Sequence, residues 1–155
     1  MMLARHVLKT DCQFIANLER ELFDSHLEVK ELQSMMLKPA FYGAVVSTLD
    51  KPEIINAYIL AYFTKGAVEI ISIGTVKSQQ RRGYGRFILQ HLISLAKQRA
   101  VNRIVLEVAC DNLPAIILYD SCGFVDCGQR RNYYQRPNGT ADALIMTLLL
   151  DSPFS

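Results

Sequence analysis

The sequence predicts a mixed α/β fold: a single domain over residues 1–150 with antiparallel hairpins and one β-α-β crossover, then a short tail at 151–155. Three observations carry that expectation. Apolar residues recur at helical spacing in Phe14, Ile15, Leu18 and Leu22, and again in Phe87, Ile88, Leu92, Leu95 and Ala96. Short β-like runs fall into groups punctuated by turn residues. No stretch is repeated, low in complexity or rich in Pro, Gly or Ser, so no internal boundary can be placed.

Taken in order, Leu3 to Lys9 reads as a strand, and Asp11 can cap the helix that follows. A shorter helix spans Val29 to Leu37 and must end before Pro39, which disfavours helical geometry in the residue preceding it. Phe41 to Thr48, Ile54 to Phe63 and Val68 to Ile73 read as an antiparallel meander, the last two joined by Thr64-Lys65-Gly66. A helix over Gly85 to Arg99 leads into the strand Arg103 to Val108, which completes the crossover. Asn112 can cap a further helix that tolerates Pro114 in its first turn and ends near Gly123. Phe124 to Gln135 and Ala143 to Leu150 close the chain as a hairpin about Arg136-Pro137-Asn138-Gly139.

With 155 residues, 50% hydrophobic and 21% charged, the chain has the make-up of a globular domain rather than a disordered or fibrous one. Its formal charge of +2 is far from the strongly basic balance of a nucleic-acid binder, so no direct nucleic-acid partner is expected. Cys12, Cys110, Cys122 and Cys127 form no C-x-x-C pair, and His6, His26 and His91 are scattered among them. No metal site is therefore expected, and the cysteines read as reduced core thiols. No apolar run has the length of a signal peptide or membrane span, which points to a cytoplasmic location without a membrane partner.

The sharpest local feature is Gln80-Arg81-Arg82-Gly83-Tyr84-Gly85-Arg86, between a strand and an amphipathic helix. Glycines let the backbone approach a ligand closely, and the free N–H groups and dipole of a helix start favour an anion such as a pyrophosphate. Arg81, Arg82 and Arg86 add positive charge. An isolated G-x-G fits a plain helix start with solvated arginines equally well. A P-loop is excluded because no Gly-Lys-Ser/Thr occurs. The dinucleotide fingerprint lacks its third glycine, whose place Ile88 takes, although Glu107 lies near the distance of a ribose-binding acid.

The segment resembles the Q/R-x-x-G-x-G/A loop of GNAT acetyltransferases, which holds the pyrophosphate of acetyl-CoA. Leu106-Glu107-Val108 followed by Asn112, then Ala115-Ile116-Ile117-Leu118-Tyr119 and Gly123-Phe124, resembles the family's later N-x-x-A-x-x-L-Y-x-x-x-G-F motif. Arg130-Arg131-Asn132-Tyr133-Tyr134, Asn138-Gly139 and Asp142-Ala143-Leu144-Ile145-Met146 narrow the resemblance to RimI-type ribosomal-protein alanine N-acetyltransferases. The resemblance implies a GNAT fold, with a central mixed, mostly antiparallel sheet flanked by helices around a β-α-β acetyl-CoA-binding core. It implies an acyltransferase that acetylates the N-terminal α-amine of a protein, such as a ribosomal protein, by direct transfer from acetyl-CoA in a ternary complex.

Such a transfer needs a neutral amine, and an α-amine with a pKa of about 7.7 to 8.0 is mostly protonated at neutral pH. Glu107 is the one carboxylate in the strand Arg103 to Val108 and lies on its less apolar face. From the residues alone an ion pair with a neighbouring arginine is the preferred reading; the resemblance makes Glu107 the general base, acting directly or through water. Tyr119 reads on its own as a helix tyrosine with its ring in the core. By resemblance it is the acid that protonates the departing CoA thiolate.

Asn112 can both cap its helix and contact the cofactor, and Ile73, Gly74 and Thr75 match the splayed strand that receives the acetyl carbonyl and pantetheine arm. The stretch Arg130 to Tyr134 suits an RNA-contacting basic-aromatic cluster or an alternating amphipathic strand. The resemblance instead places Tyr133 and Tyr134 in a peptide-acceptor groove. Cys110 and Cys122 flank these positions, but no histidine lies near them in sequence to support a covalent acyl-enzyme.

Three positions depart from the family pattern. Asp24-Ser25-His26-Leu27-Glu28 stands where a Pro-Trp pair is usual beside the acceptor site, Ala109 replaces an arginine, and Lys77 replaces a proline. The cofactor half thus matches better than the acceptor half. An enzyme for another amine, such as a polyamine, an amino acid or a lysine side chain, and a non-catalytic acyl-CoA-binding module are the competing readings.

Overall fold

The structure is a computed structural model that describes residues 1–150; the tail expected at 151–155 lies outside the described residues. The chain runs β1 (Met2–His6), α1 (Cys12–Leu22), α2 (Val29–Met36), β2 (Phe41–Thr48), β3 (Ala57–Thr64) and β4 (Ala67–Thr75). It continues through α3 (Tyr84–Gln98), β5 (Arg103–Ala109), α4 (Leu113–Ser121), β6 (Val125–Arg136) and β7 (Gly139–Leu149). The strands form one sheet in the order β1-β2-β3-β4-β5-β7-β6. Every neighbouring pair is antiparallel except β4 and β5, which α3 connects as the expected β-α-β unit.

The unbroken apolar runs of β2 and β3 exist because helices cover both of their faces. Ala44 and Val46 of β2 and Ala57, Ile59 and Ala61 of β3 pack in one core with Ile88, Leu89, Leu92 and Ala96 of α3. Val45, Tyr58 and Leu60 point the other way, into a second core with Ile15 and Leu18 of α1 and Leu32 of α2. Along β5 only one face is sealed: Ile104, Leu106 and Val108 join the α3 core, whereas Val105, Glu107 and Ala109 on the opposite face are only half-buried.

Three expectations need correction. Asp11 does not cap α1; its carboxylate accepts the Leu8 N–H at 2.7 Å and closes the 3-10 turn Lys9–Asp11. Asp11 itself has helical dihedrals, so its side chain turns back toward β1, where the Arg5 guanidinium holds the carboxyl below the usual carboxylate range. β3 starts at Ala57 rather than Ile54, because the Ile54 N–H closes a turn onto Lys51 and leaves its side chain exposed. Of the cysteines read as core thiols, only Cys12 is buried; Cys110 lies exposed in the turn after β5, Cys127 exposed on edge strand β6, and Cys122 half-buried.

Among the described residues no helix is long and apolar enough to cross a membrane, and no three His, Cys, Asp or Glu side chains converge where a metal ion could sit.

Candidate active site

Strands β4 and β5 pair only from Ala67–Ile70 to Arg103–Leu106, yet β4 runs on to Thr75 and β5 to Ala109. The cause is a bulge: Leu60 opposes Ser72 while Ala61 opposes Ile70, so Ile71 is an extra residue. A bulge bends its strand, and this one falls immediately after the last β4–β5 pair. The strands then diverge, leaving the β5-facing edge of Ile71 to Thr75 and the β4-facing edge of Glu107 to Ala109 without backbone partners across the gap. A cleft of about 1260 Å³ occupies the opening.

The glycine loop lies at the mouth of this cleft. Arg81 and Gly83 take positive φ, +65° and +92°, which only glycine adopts without strain. The first helical bond of α3 runs from the Phe87 N–H to the Gly83 carbonyl, and among the described residues the N–H groups of Arg81 to Arg86 donate to no protein acceptor. That run of free donors at a helix start is suited to an anion. Arg81, Gly83, Tyr84, Gly85 and Arg86 line the cleft, as do Ile73, Gly74 and Thr75, but Arg82 does not. Arg86 is also tied to α4, donating to the Ser121 hydroxyl at 2.6 Å.

Deeper in, Glu107 projects from the open face of β5 and pairs with Arg130 of β6 at 2.9 Å. The ion pair that the residues alone suggested is therefore present, but Arg130 is more than half exposed, so the pair adds little stability. Asn112 caps α4 by accepting the Ala115 N–H at 3.4 Å while lining the cleft. Tyr119, 5% exposed, packs its ring 5.8 Å from Phe124. Burial, and next the neighbouring Tyr134, pushes its hydroxyl well above the usual tyrosine range, so it keeps its proton at neutral pH.

The tyrosines of β6 reach the cleft through an irregularity that alternation does not reveal. Between the pairs Arg130–Ala143 and Tyr134–Ala141 strand β6 carries extra residues, with Asn132 at φ +53°. The Asn132 N–H donates to Asp142 at 2.8 Å and its side chain accepts from Thr140, which fixes the bulge. Tyr133 and Tyr134 thereby line the cleft beside Glu107. The Glu107 carboxylate, followed by burial, raises the Tyr133 hydroxyl, and burial followed by Glu107 pushes Tyr134 up to about 12.

Two contributors escaped the sequence reading. Glu19 of α1 is buried at the cleft floor with Tyr58 and Ser72. Arg136, at the end of β6, grips Asp111 in the turn after β5 and lies 3.4 Å from Asp24 beyond α1, bridging the cleft's far end. Neither has a local signal, since each partner is remote in sequence.

Fold and cleft together define a mixed α/β protein whose cleft opens between two diverging strands, with free N–H groups, a carboxylate and a buried phenol along it. Residues 12–124 match the acetyltransferase (GNAT) family, and the chain belongs to that family. It is similar to the [ribosomal protein bS18]-alanine N-acetyltransferase of Escherichia coli K12, with 38% identity over 92 residues, 59% of this chain. That match spans 62% of the relative's length. It is 44% identical over 78 residues to the N-alpha-acetyltransferase RimI of Mycobacterium tuberculosis, covering 50% of this chain and 46% of that one. The crystal structure of the Escherichia coli ribosomal-protein-S18-alanine N-acetyltransferase superposes with a TM-score of 0.88 at 28% identity, over 97% of this chain and 95% of the other. The GNAT fold expected from the sequence is thus the fold observed.

Proposed function

We propose that this protein acetylates the N-terminal α-amine of a protein acceptor, using acetyl-CoA as cosubstrate, by direct transfer in a ternary complex. The observation that carries the reading is the single cleft through the β4–β5 opening, with free N–H donors at one end and Glu107 and the tyrosines farther in. The Escherichia coli bS18-alanine N-acetyltransferase and the Mycobacterium tuberculosis N-alpha-acetyltransferase support the acceptor class, and the first suggests a ribosomal protein as the acceptor.

The pyrophosphate rests on the Arg81 to Arg86 donors, and the pantetheine amides pair with the open strand edges as an added strand would. The Arg82 guanidinium contributes only to the surrounding positive field. Tyr133 and Tyr134 border the acceptor peptide, and Glu107 removes the proton from its amine. The amine nitrogen attacks the thioester carbonyl, the C–S bond breaks, Tyr119 gives its proton to the departing thiolate, and the surplus proton on the new amide nitrogen returns to the Tyr119 phenolate. Asn112 orients the cofactor from the start of α4.

Tyr119→Phe keeps the packing and removes the proton, so turnover should fall at least about tenfold with little change in acetyl-CoA affinity or melting temperature. Full turnover in that variant leaves Tyr119 a packing residue. Initial rates measured while varying both substrates test direct transfer. Intersecting double-reciprocal lines are expected, whereas parallel lines indicate a covalent acyl-enzyme, for which Cys110 and Cys122 are the nearest thiols in sequence to these residues. A polyamine acceptor is the second reading, favoured by the carboxylates of Asp24, Glu31 and Glu69 lining the cleft.

A further inference from the structure

Glu19 is a carboxylate with 2% of its surface exposed, and isolated burial of such a group is costly unless donors surround it. Three donors do. The Tyr58 hydroxyl and the Ser72 hydroxyl bond one oxygen, and the Leu27 N–H bonds the other at 3.1 Å. Ser72 and Leu27 line the cleft, and Tyr58 packs beneath Gly74, which lines it too. Ser72 lies in the diverging stretch of β4. Tyr58 is fully buried, and its ring lies so close beneath Gly74 that a Cβ there would come within 2.6 Å of it. Leu27 lies in the connection between α1 and α2, which also lines the cleft.

We propose that Glu19 is the positioning residue for the acceptor: it tethers the α1–α2 connection to the diverging part of β4 and so sets the distance from the acceptor amine to the bound thioester. The proposal rests on the acetyl-transfer reading above. Burial and then Glu19 itself raise the Tyr58 hydroxyl well above its usual range, so it remains a donor. Small displacements matter here, because an error of about 1 Å in a reacting geometry can cost about 10²-fold in rate.

The test uses Glu19→Ala, Glu19→Gln and Tyr58→Phe, with the N-terminal peptide that the wild-type protein acetylates fastest. A glutamine carbonyl still accepts the Leu27 N–H, and its amide can donate to the two hydroxyl oxygens. Glu19→Ala should raise the acceptor KM and lower kcat/KM about 10²-fold, with the Kd for acetyl-CoA unchanged. Glu19→Gln should rescue most of that loss, and Tyr58→Phe should raise the acceptor KM to an intermediate degree. Amide exchange at Leu27 should be slow in the wild type and Glu19→Gln and fast in Glu19→Ala, a readout that needs no activity.

An acceptor KM left unchanged in Glu19→Ala overturns the proposal. So does a Glu19→Gln variant as impaired as Glu19→Ala, which points to proton transfer rather than positioning. Should Glu19→Ala fail to fold, an unchanged acceptor KM in Tyr58→Phe overturns it equally. A wild-type protein that transfers no acetyl group to any amine refutes the transfer reading, while Leu27 exchange still reports whether the tether exists.

Discussion

Gly83→Val is expected to weaken CoA binding by at least about tenfold in a chain that still folds. Gly83 holds φ at +92°, a conformation that costs a β-branched residue about 1 to 3 kcal/mol, and 1.4 kcal/mol is about a factor of ten in affinity. Space is not the obstacle, since the nearest atom to an added Cβ is the Met2 methyl at 3.7 Å. The valine must therefore either rotate the loop, turning the N–H groups of Arg81 to Arg86 away from a shared anion, or keep its strain and crowd the ligand. Both routes spend the effect on the cofactor. Calorimetry with CoA, paired with a thermal melt, separates lost binding from lost structure. Unchanged affinity in the folded variant rules out this loop as the pyrophosphate site.

The second large effect is expected from Glu107→Gln, which preserves shape but cannot accept a proton. General-base contributions are about 10²- to 10⁴-fold, or about 3 to 5 kcal/mol of barrier. The Arg130 ion pair sharpens the comparison. Were Glu107 only its structural partner, the variant would lose little more than a solvent-facing pair and would keep its rate per folded molecule. As the base, it must lose rate while its melting temperature barely moves. A pH profile of kcat/KM for both proteins decides between them. Near-wild-type activity across about pH 6 to 9, the span in which an α-amine titrates, means that solvent or another group takes the proton.

Much of this architecture is legible in the chain because burial writes itself into periodicity. β2 is covered on both faces and appears as a strand from Phe41 to Thr48, apolar through Val46, with the bounds expected. The stripe Ile88, Leu92 and Ala96 marks the face of α3 that enters the core. The loop at Gly83 and the cap at Asn112 are local chemistry, so their positions were readable too.

What stayed hidden depends on pairing between distant strands. No residue near Ile71 announces that one position of β4 will lack an opposite number, yet that bulge opens the cleft. The bulge around Asn132 likewise depends on Asp142 and Thr140, so the approach of Tyr133 to Glu107 could not be read from alternation along β6. Glu19 looks like an ordinary charge on an amphipathic helix until Tyr58 and Ser72 arrive from the sheet. Asp11 shows the same limit at short range: its competition between two helix starts was settled by Arg5, a strand residue.

The most direct measurement is fragmentation mass spectrometry of peptides incubated with the protein and acetyl-CoA. Each peptide would carry a free N-terminus and an internal lysine, alongside the same peptides with blocked N-termini and a small polyamine. The reading predicts an acetyl group on the α-amine of free peptides, none on the blocked ones, and lysine and polyamine left unmodified. Acetylation confined to the lysine ε-amine or the polyamine, or to no amine at all, contradicts it.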